Sequence, residues 1–310
     1  LAHSIDLVEQ AATSFEEVWE HLGTHNIELR IVDGVRNGLT DLGEKPALII
    51  STLQSMGAFL KSEPDTFEAF SKSCSLLVID EAHMSLAPNY KESIKKIIEH
   101  GSQLMGLTAT PGRNVKDNEN NEELAEFYFQ KSVRLTCPDG GNVFTYLRKI
   151  DVMAKTSMQV ITGSQDALTT KELEKYLEDS CFPRSVLDRL AKKDQRNIEI
   201  IAKITELVKL NADRKIILFA CSVDHSKFLA AILNFKGIKA AHVDGETSPL
   251  NRKKITTDFR FGELNVLTNY GVLATGFDAP KTDVVFIARP TESIVLYSQI
   301  IGRGLRGPAI

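Results

Sequence analysis

LLVIDEAHMS, at residues 76–85, is the stretch that decides the fold class. Its four apolar residues run directly into Asp80 and Glu81. A short apolar run predicts a buried strand, and the carboxyl ends of such strands are where α/β proteins bind ligands. Two carboxylates there are typical of a metal–nucleotide site, because Mg²⁺ prefers oxygen ligands. An isolated Asp-Glu pair is more often a helix cap or a surface pair, but His83 and the apolar run favour the functional interpretation.

Short apolar runs alternate with amphipathic segments along most of the chain, which predicts an α/β protein with parallel sheets covered by helices. The predicted strands are 47–52, 75–80, 103–110, 215–220, 239–244, 265–269 and 283–288. The predicted helices are 7–23, 89–101, 195–211, 222–237 and 248–261, and a polar loop leads into another helix within 114–127.

Residues 150–196 interrupt this alternation, because they contain charged helical patterns with no strand between them. We therefore expect two lobes, at 1–148 and 195–310, joined at 149–194 by a helical linker or insertion. A chain of 310 residues is long enough for two domains.

The composition is that of an ordinary globular protein, with 43% hydrophobic and 25% charged residues. No apolar run is long enough to span a bilayer, and the first ten residues do not resemble a signal peptide. The four cysteines lie at least 40 residues apart, which excludes metal-ligand spacing. We expect reduced thiols in a cytoplasmic protein.

The charge is unevenly distributed along the chain. Residues 201–310 hold 15 Lys and Arg against 10 Asp and Glu, whereas the first 200 residues hold 22 against 31. A basic second half suits a nucleic-acid backbone, but ordinary surface variation explains the asymmetry equally well.

Two further stretches place reactive side chains near predicted strand ends. In GLTATPGR (106–113), Thr108 and Thr110 follow a strand, so they are expected in the same crevice as the carboxylates. In LTNYGVLATGFDAP (267–280), Gly276 predicts a tight loop that approaches a ligand closely. Asp278 accepts from a ribose hydroxyl or caps a turn, and the residue types do not decide between these roles.

An arginine pair follows near the end of the chain, in SQIIGRGLRG (298–307). Arg303 and Arg306 are three residues apart, which predicts that they share one helical face, with Gln299 four residues before Arg303. Arginine is the preferred cation for a transferring phosphoryl group, because its guanidinium is always charged and bidentate. The alternative is a solvated basic helix.

Taken in chain order, these stretches resemble the motif set of the superfamily 2 helicases and translocases. The stretches are DEAH at 80–83, TAT at 108–110, LTNYGVLATGFDAP at 267–280 and QIIGRGLR at 299–306. The resemblance implies two RecA-like lobes with Mg²⁺ and ATP bound in the cleft between them.

Within that superfamily, the chain is most similar to bacterial DEAD/DEAH-box proteins related to the helicase subunits of type III restriction enzymes. The stretches that carry this likeness are ILFACSVDHS (217–226), GVLATGFDAP (271–280) and RPTESIVLYSQIIGRGLRGP (289–308).

The resemblance implies a role for each motif residue of the first lobe. Asp80 would bind Mg²⁺, Glu81 would activate the attacking water, and His83 would couple the two lobes. Thr108 and Thr110 would link hydrolysis to movement of nucleic acid.

For the second lobe, the resemblance implies that Gly276 and Asp278 meet the nucleotide. Gln299, Arg303 and Arg306 would reach the γ-phosphate, with Arg306 as the arginine finger.

The resemblance also implies contacts to a nucleic-acid strand, made chiefly to phosphate and sugar. The candidates are Ala2, His3, Thr52, Gln54, Ser222 and Thr268. Trp19 and the aromatic cluster at 127–129 are able to stack on bases, but their apolar neighbours favour a place in the core.

The chain departs from the family pattern in one respect, since no Gly-Lys dipeptide of a phosphate-binding loop occurs in it. In this superfamily that loop precedes the first strand-contact motif, and Leu1 falls where that motif begins. We therefore expect that both ends are truncated and that residues 1–310 alone do not hydrolyse ATP efficiently.

The sequence favours an ATP-dependent helicase or translocase, on DNA more than on RNA. The alternatives are a nucleic-acid-binding scaffold that has lost its ATPase and a duplex translocase that serves a nuclease without separating strands. A nuclease or another defence or repair protein is the corresponding partner.

Overall fold

A computed structural model provides the architecture of the chain. It describes residues 1–24, 26–32, 45–110, 118–138, 140–161, 167–179, 182–274, 277, 279, 281–291 and 293–307. The chain forms two compact units, Leu1–Val133 and Arg134–Ile310.

The first unit contains two pairs of parallel strands. They are β1 (Glu28–Val32) with β2 (Ala47–Ser51), and β3 (Leu76–Asp80) with β4 (Gln103–Leu107). The first two residues of the chain lie between the pairs. The N–H of Ala2 donates to the carbonyl of Ser51 (2.8 Å), and the N–H of Asp80 donates to the carbonyl of Leu1 (2.9 Å). These bonds bring Ala2 and Asp80 to the same edge of the sheet.

Helices cover the strands of the first unit. They are α1 (Ile5–Leu22), α2 (Leu53–Ser62), α3 (Pro64–Ser73), α4 (Pro88–Ile98) and α5 (Asn118–Phe127). Ser4 caps α1 and Thr52 caps α2, each accepting from a backbone N–H of the first turn, which satisfies a donor that the helix itself leaves free. Buried apolar side chains of α2, α3 and α4 pack against β3, among them Met56, Phe67 and Ile94.

The second unit is built on a four-stranded parallel sheet of order β6-β7-β5-β8. Its strands are β5 (Ile216–Phe219), β6 (Ala240–Val243), β7 (Val266–Asn269) and β8 (Val284–Ile287). Its helices are α6 (Val143–Lys149), α7 (Thr170–Asp179), α8 (Arg184–Ala191), α9 (Asp194–Leu210), α10 (Val223–Phe235), α11 (Pro249–Phe261) and α12 (Ile294–Gly302). The central strand β5 is buried along its whole length.

The predicted linker region belongs to the second unit in this structure. The guanidinium of Arg189 on α8 makes two hydrogen bonds, of 2.7 and 3.1 Å, to the carboxylate of Glu172 on α7. This pairing lowers the pKa of Glu172 from 4.5 to about 2, with further hydrogen bonds from Thr169 and Ser185. The N–H of Ala154 also donates to the carbonyl of Leu305 (2.9 Å).

The division into units after Val133 therefore differs from the predicted boundary at residue 148. The structure also contains β1, α2 and α3, which the sequence did not predict. The prediction that residues 103–110 form a buried strand is wrong, because β4 ends at Leu107 and leaves Met105 and Leu107 half exposed.

Three of the cysteines, Cys74, Cys137 and Cys221, are free thiols in the structure, and Cys181 lies outside the described residues. No helix among the described ranges is both long enough and apolar enough to cross a bilayer.

A buried histidine of α10 joins the turn after β5 to helix α9 of the second unit. His225 on α10 accepts at Nδ1 from the backbone N–H of Cys221 (3.2 Å). Its Nε2 lies 3.0 Å from Oδ1 of Asn197 on α9. Since Nδ1 acts as an acceptor, the proton sits on Nε2 and is donated to Asn197. Burial, with a smaller effect of the Arg196 charge, lowers the pKa of His225 from 6.5 to about 4.

This lowered pKa predicts a pH-dependent stability. Between pH 6.5 and 4 the unfolded chain binds more protons at His225 than the folded chain does. The contribution to the free energy of unfolding is therefore complete above pH 6.5 and declines as the pH falls towards 4. Urea denaturation at several pH values between 7 and 4.5 measures this slope. We expect His225→Gln to reduce the slope, whereas the exposed His21→Gln leaves it unchanged. An unaltered slope in His225→Gln would contradict the assignment.

Candidate active site and nucleic-acid interface

The DEAH turn, residues 80–85, leaves β3 in a strained conformation. Glu81 has φ 51° and ψ 51°, in the left-handed region that costs a non-glycine residue roughly 1–2 kcal/mol. Its N–H donates to Oδ1 of Asp80 (3.0 Å), and a short 3-10 helix, Ala82–Met84, follows. Strain of this kind persists only where the surroundings enforce it, and it clusters at functional sites.

His83 connects this turn to the TAT stretch. Its buried imidazole places Nδ1 3.1 Å from Oγ1 of Thr108 and 3.4 Å from Oε2 of Glu81. Oγ1 of Thr108 donates to the carbonyl of Thr110 (3.2 Å) and accepts from its N–H (3.1 Å). Because the Thr108 proton is already donated, Thr108 accepts from His83, which places a proton on Nδ1 of the imidazole.

The donor set at this edge fits the Mg²⁺ that the sequence resemblance implies. Oδ1 of Asp80 accepts one backbone hydrogen bond, and its carboxylate is the hard oxygen ligand that Mg²⁺ prefers. Within the described ranges no three His, Cys, Asp or Glu side chains enclose a metal site. A single carboxylate suits Mg²⁺, which keeps several waters and takes other ligands from nucleotide phosphates.

Thr110 carries a hydroxyl without a hydrogen-bond partner among the described residues, although its Oγ1 is shielded from solvent. Burying a hydroxyl in this way is unfavourable unless a further group bonds to it.

The predicted strand contacts of the first unit lie at the same edge of the sheet. Ala2 is bridged to Thr52, and both residues are buried. Oγ1 of Thr52 is engaged in capping α2, where it accepts from the N–H of Ser55 (3.0 Å). The side chains of His3 and Gln54 are exposed, so these two are the ones available to a ligand.

In the second unit, Ser222 is the N-cap of α10 and accepts from the N–H of His225 (3.1 Å). His225 in turn accepts from the N–H of Cys221, so it fixes the turn that presents Ser222. His225 was not among the residues predicted from the sequence. The available signal was a histidine three residues after the start of the predicted helix at 222–237.

The position of Thr268 in the structure does not support its predicted role as a direct contact to nucleic acid. Its side chain is fully buried, and the one hydroxyl proton is within reach of the carbonyls of Ser226 (3.0 Å) and Ala241 (3.3 Å). The hydroxyl of Ser226 lies 2.6 Å from Nδ1 of His242, whose Nε2 lies 3.0 Å from Asp244. This Ser-His-Asp chain is internal, because Ser226 has no exposed surface with which to attack a substrate.

Gly276 and Asp278 lie outside the described residues, so their predicted nucleotide contacts stay predictions. Phe277 between them is buried against Phe259, and the guanidinium of Arg260 lies 5.4 Å from its ring centroid. Earlier in the same loop, Leu273 adopts a left-handed φ of 64°.

The prediction that Arg303 and Arg306 share a helical face is wrong. Helix α12 ends at Gly302, and Arg303 is its C-cap. The guanidinium of Arg303 donates to the carbonyls of Ala274 (2.7 Å) and Phe277, so it holds the loop after β7.

Arg306 lies beyond the helix and pairs with Met153 in an antiparallel bridge. The glycines at 302, 304 and 307 explain the break, because glycine is a poor helix former.

Arg306 is a separate, partly buried cation. Desolvation, with a smaller effect of the nearby Arg260 charge, lowers the pKa of its guanidinium from its ordinary value. Gln299 lies on α12 and is partly exposed.

Two family models match the chain in sequence. One, described as DEAD/DEAH box helicase, covers residues 1–118. The other, described as helicase conserved C-terminal domain, covers residues 197–307. A Schizosaccharomyces pombe protein named as the mitochondrial ATP-dependent helicase irc3 is 29% identical over 314 residues, with 99% of this chain and 46% of the relative covered. The chain spans about half the length of the curated relatives it matches.

Solved helicase structures share the fold. The DUF1998 helicase MrfA bound to DNA matches with a TM-score of 0.64 and 15% identity, over 99% of this chain and 40% of that one. Dbp5 of S. cerevisiae bound to RNA and ADP BeF3 matches with a TM-score of 0.61 and 17% identity, over 99% of this chain and 68% of that one. These likenesses confirm the predicted fold class of two RecA-like, parallel-sheet lobes. With the two helicase domains matched in order along its length, the chain belongs to the superfamily 2 helicases.

Proposed function

We propose that this chain is the motor core of an ATP-dependent helicase or translocase that moves along a nucleic-acid strand, with DNA as the preferred substrate. The observation that carries the proposal is the contact between His83 and Thr108, which joins the carboxylates of the DEAH turn to the TAT stretch.

In this proposal the residues of the first unit carry the chemistry of hydrolysis. Bound Mg²⁺–ATP supplies the phosphoryl group and the divalent charge. Asp80 provides a carboxylate oxygen to the metal. Glu81 orients the attacking water and accepts its proton, a role that needs a carboxylate held at a defined position. The left-handed backbone of Glu81 and the nearby His83 imidazole support such positioning.

Different roles are proposed for the two arginines of the second unit. Arg306 supplies positive charge to the transferring γ-phosphoryl group, as an arginine finger does. Arg303 is already donating to two backbone carbonyls, so we assign it to shaping the loop that includes Gly276 and Asp278. Gln299 is proposed to assist at the phosphate, as the family resemblance implies.

The strand is proposed to run over the exposed polar side chains at the carboxyl edges of the sheets. His3, Gln54 and Ser222 are the candidates that the structure leaves accessible in part or in full. Contacts of this kind position a strand through its phosphates and sugars without reading its sequence.

The choice of DNA over RNA rests on the similarity to restriction-enzyme helicase subunits, which itself stays a prediction. Titration of hydrolysis with single-stranded DNA and RNA of the same sequence tests the preference. Stronger stimulation by RNA would overturn it.

One alternative is a scaffold that binds nucleic acid without hydrolysing ATP. ATP hydrolysis by the full-length protein that disappears in Glu81→Gln excludes this scaffold. Strand-displacement and triplex-displacement assays separate a helicase from a duplex translocase that serves a nuclease.

Replacing Glu81 by Gln in the full-length protein tests the role of the carboxylate. We expect stimulated hydrolysis to fall about 10²–10⁴-fold, because the amide cannot accept the proton from water. Nucleotide affinity, measured with a fluorescent ATP analogue, stays within about twofold, since side-chain shape is kept. The control is Glu92→Gln, on the exposed face of α4, which should hydrolyse ATP normally. Undiminished turnover in Glu81→Gln would defeat the assignment.

The two arginines are distinguished by separate alanine variants. Arg306→Ala should lower kcat by about 10³–10⁵-fold while ATP still binds. Arg303→Ala should lower the free energy of unfolding by about 1.5–3 kcal/mol, because its charged hydrogen bonds to the loop are lost. Steady-state kinetics and urea denaturation of both variants provide the comparison. Equal losses of activity and of stability in the two variants would contradict the division of roles.

A further inference from the structure

Tyr128, directly after α5, reaches the DEAH turn from outside the motifs. Its hydroxyl lies 2.8 Å from Oγ of Ser85, a residue with no exposed surface. Burial raises the pKa of the Tyr128 phenol, so the hydroxyl stays protonated at physiological pH and remains able to donate. Without this contact, the hydroxyl of Ser85 would lose a hydrogen-bond partner while buried at the end of the turn, which is unfavourable.

The ring of Tyr128 also lies against β4. A Cβ built on Gly106 would come within 2.6 Å of Cε1 of Tyr128 and within 2.7 Å of the Ala82 methyl group. Glycine is therefore required at 106, because the tyrosine ring and Ala82 fill the space of a side chain. Tyr128 thus touches both the DEAH turn and the strand that ends immediately before Thr108.

The backbone after Tyr128 is held in an unusual conformation. Phe129 and Gln130 are successive non-glycine residues with left-handed φ values of 56° and 54°. The N–H of Gln130 donates to the carbonyl of Ala125 (2.7 Å), and that of Lys131 to the carbonyl of Tyr128 (3.0 Å). We call residues 128–131 the exit turn, since the first unit ends at Val133.

We infer that Tyr128 is a positioning residue that couples the exit turn to Glu81, the carboxylate proposed to activate water. The inference rests on the proposed function and concerns regulation of that site. A shift of the exit turn moves the tyrosine hydroxyl, and with it Ser85 and the DEAH turn. Nucleic-acid stimulation of hydrolysis depends on this connection.

Backbone hydrogen bonds within the DEAH turn connect Ser85 to Glu81 and would transmit such a shift between them. The N–H of Ser85 donates to the carbonyl of Ala82 (3.1 Å), and the N–H of Met84 donates to that of Glu81 (2.8 Å). These bonds make one short rigid turn, so Ser85 cannot move far without moving Glu81. His83 lies within the same turn and bonds to Thr108, so the threonine stretch is displaced too.

A double-mutant cycle on the full-length protein separates positioning from mere packing. Ser85→Ala and Tyr128→Phe each leave one hydroxyl without its partner, that of the partly buried Tyr128 or of the buried Ser85, so each should lower the urea midpoint. The double variant removes both hydroxyls and should recover most of the loss. We expect the ratio of nucleic-acid-stimulated to basal hydrolysis to fall about tenfold in Tyr128→Phe and to stay low in the double variant, with KM for ATP unchanged.

Tyr90→Phe on α4 is the matched control and should leave the stimulation ratio unaltered. The inference is overturned if the double variant recovers stimulation together with stability, because Tyr128 would then be only a packing residue. It is also overturned if Tyr128→Phe leaves the stimulation ratio unaltered, as Tyr90→Phe is expected to do.

Substitution of Gln130 tests the exit turn without touching Tyr128 or Ser85. Glycine adopts a left-handed φ without strain, whereas a β-branched residue does so at high cost. We expect Gln130→Gly to keep the stimulation ratio and Gln130→Val to lower it as Tyr128→Phe does. Equal ratios in the two variants would contradict the coupling.

Amide hydrogen exchange of residues 82–85 provides a readout independent of hydrolysis. Tyr128→Phe and Gln130→Val should both speed exchange in this segment, and Gln130→Gly should not. If the unaltered protein shows no stimulated hydrolysis, the proposed function fails. The exchange rates then decide alone whether the exit turn controls the DEAH turn, and unchanged rates in Tyr128→Phe and Gln130→Val would refute it.

Discussion

The hydrogen bond between His83 and Thr108 is the contact on which the site of the first unit depends. The DEAH turn and the TAT stretch follow neighbouring parallel strands, so pairing of β3 with β4 brings the two ends together. The imidazole then joins them, and its Nδ1 also faces the carboxylate of Glu81. Because Glu81 is strained, it keeps its position only while these surrounding contacts persist.

Side chains also hold the backbone of loops and turns in the second unit. The guanidinium of Arg303 is committed to carbonyls of the loop after β7, and Phe277 anchors that loop in the core. His225 accepts a hydrogen bond from the N–H of Cys221 and so fixes the turn that presents Ser222. In both places a side chain away from the backbone it holds fixes a loop or turn, Arg303 through two loop carbonyls and His225 through the N–H of Cys221.

Much of the fold was accessible from the sequence, because buried parallel strands are short apolar runs and their carboxyl ends meet at one edge. The strand that ends at Asp80 and the predicted strands of the second unit lie where periodicity placed them, within a residue or two. The left-handed backbone of Glu81 has no such signal, since it is enforced by contacts distant in the chain. The burial of Thr268 and the helix end at Gly302 were missed for a related reason: side-chain spacing does not show which hydroxyls turn inward or where glycines stop a helix.

We propose that the contact between His83 and Thr108 connects ATP hydrolysis to movement along the strand. The most direct test compares ATP consumed with nucleotides travelled in the full-length protein and in Thr108→Ala. We expect Thr108→Ala to hydrolyse ATP in response to nucleic acid but to travel much less far for each ATP consumed. Equal losses of hydrolysis and travel, or an unchanged distance per ATP, would contradict it.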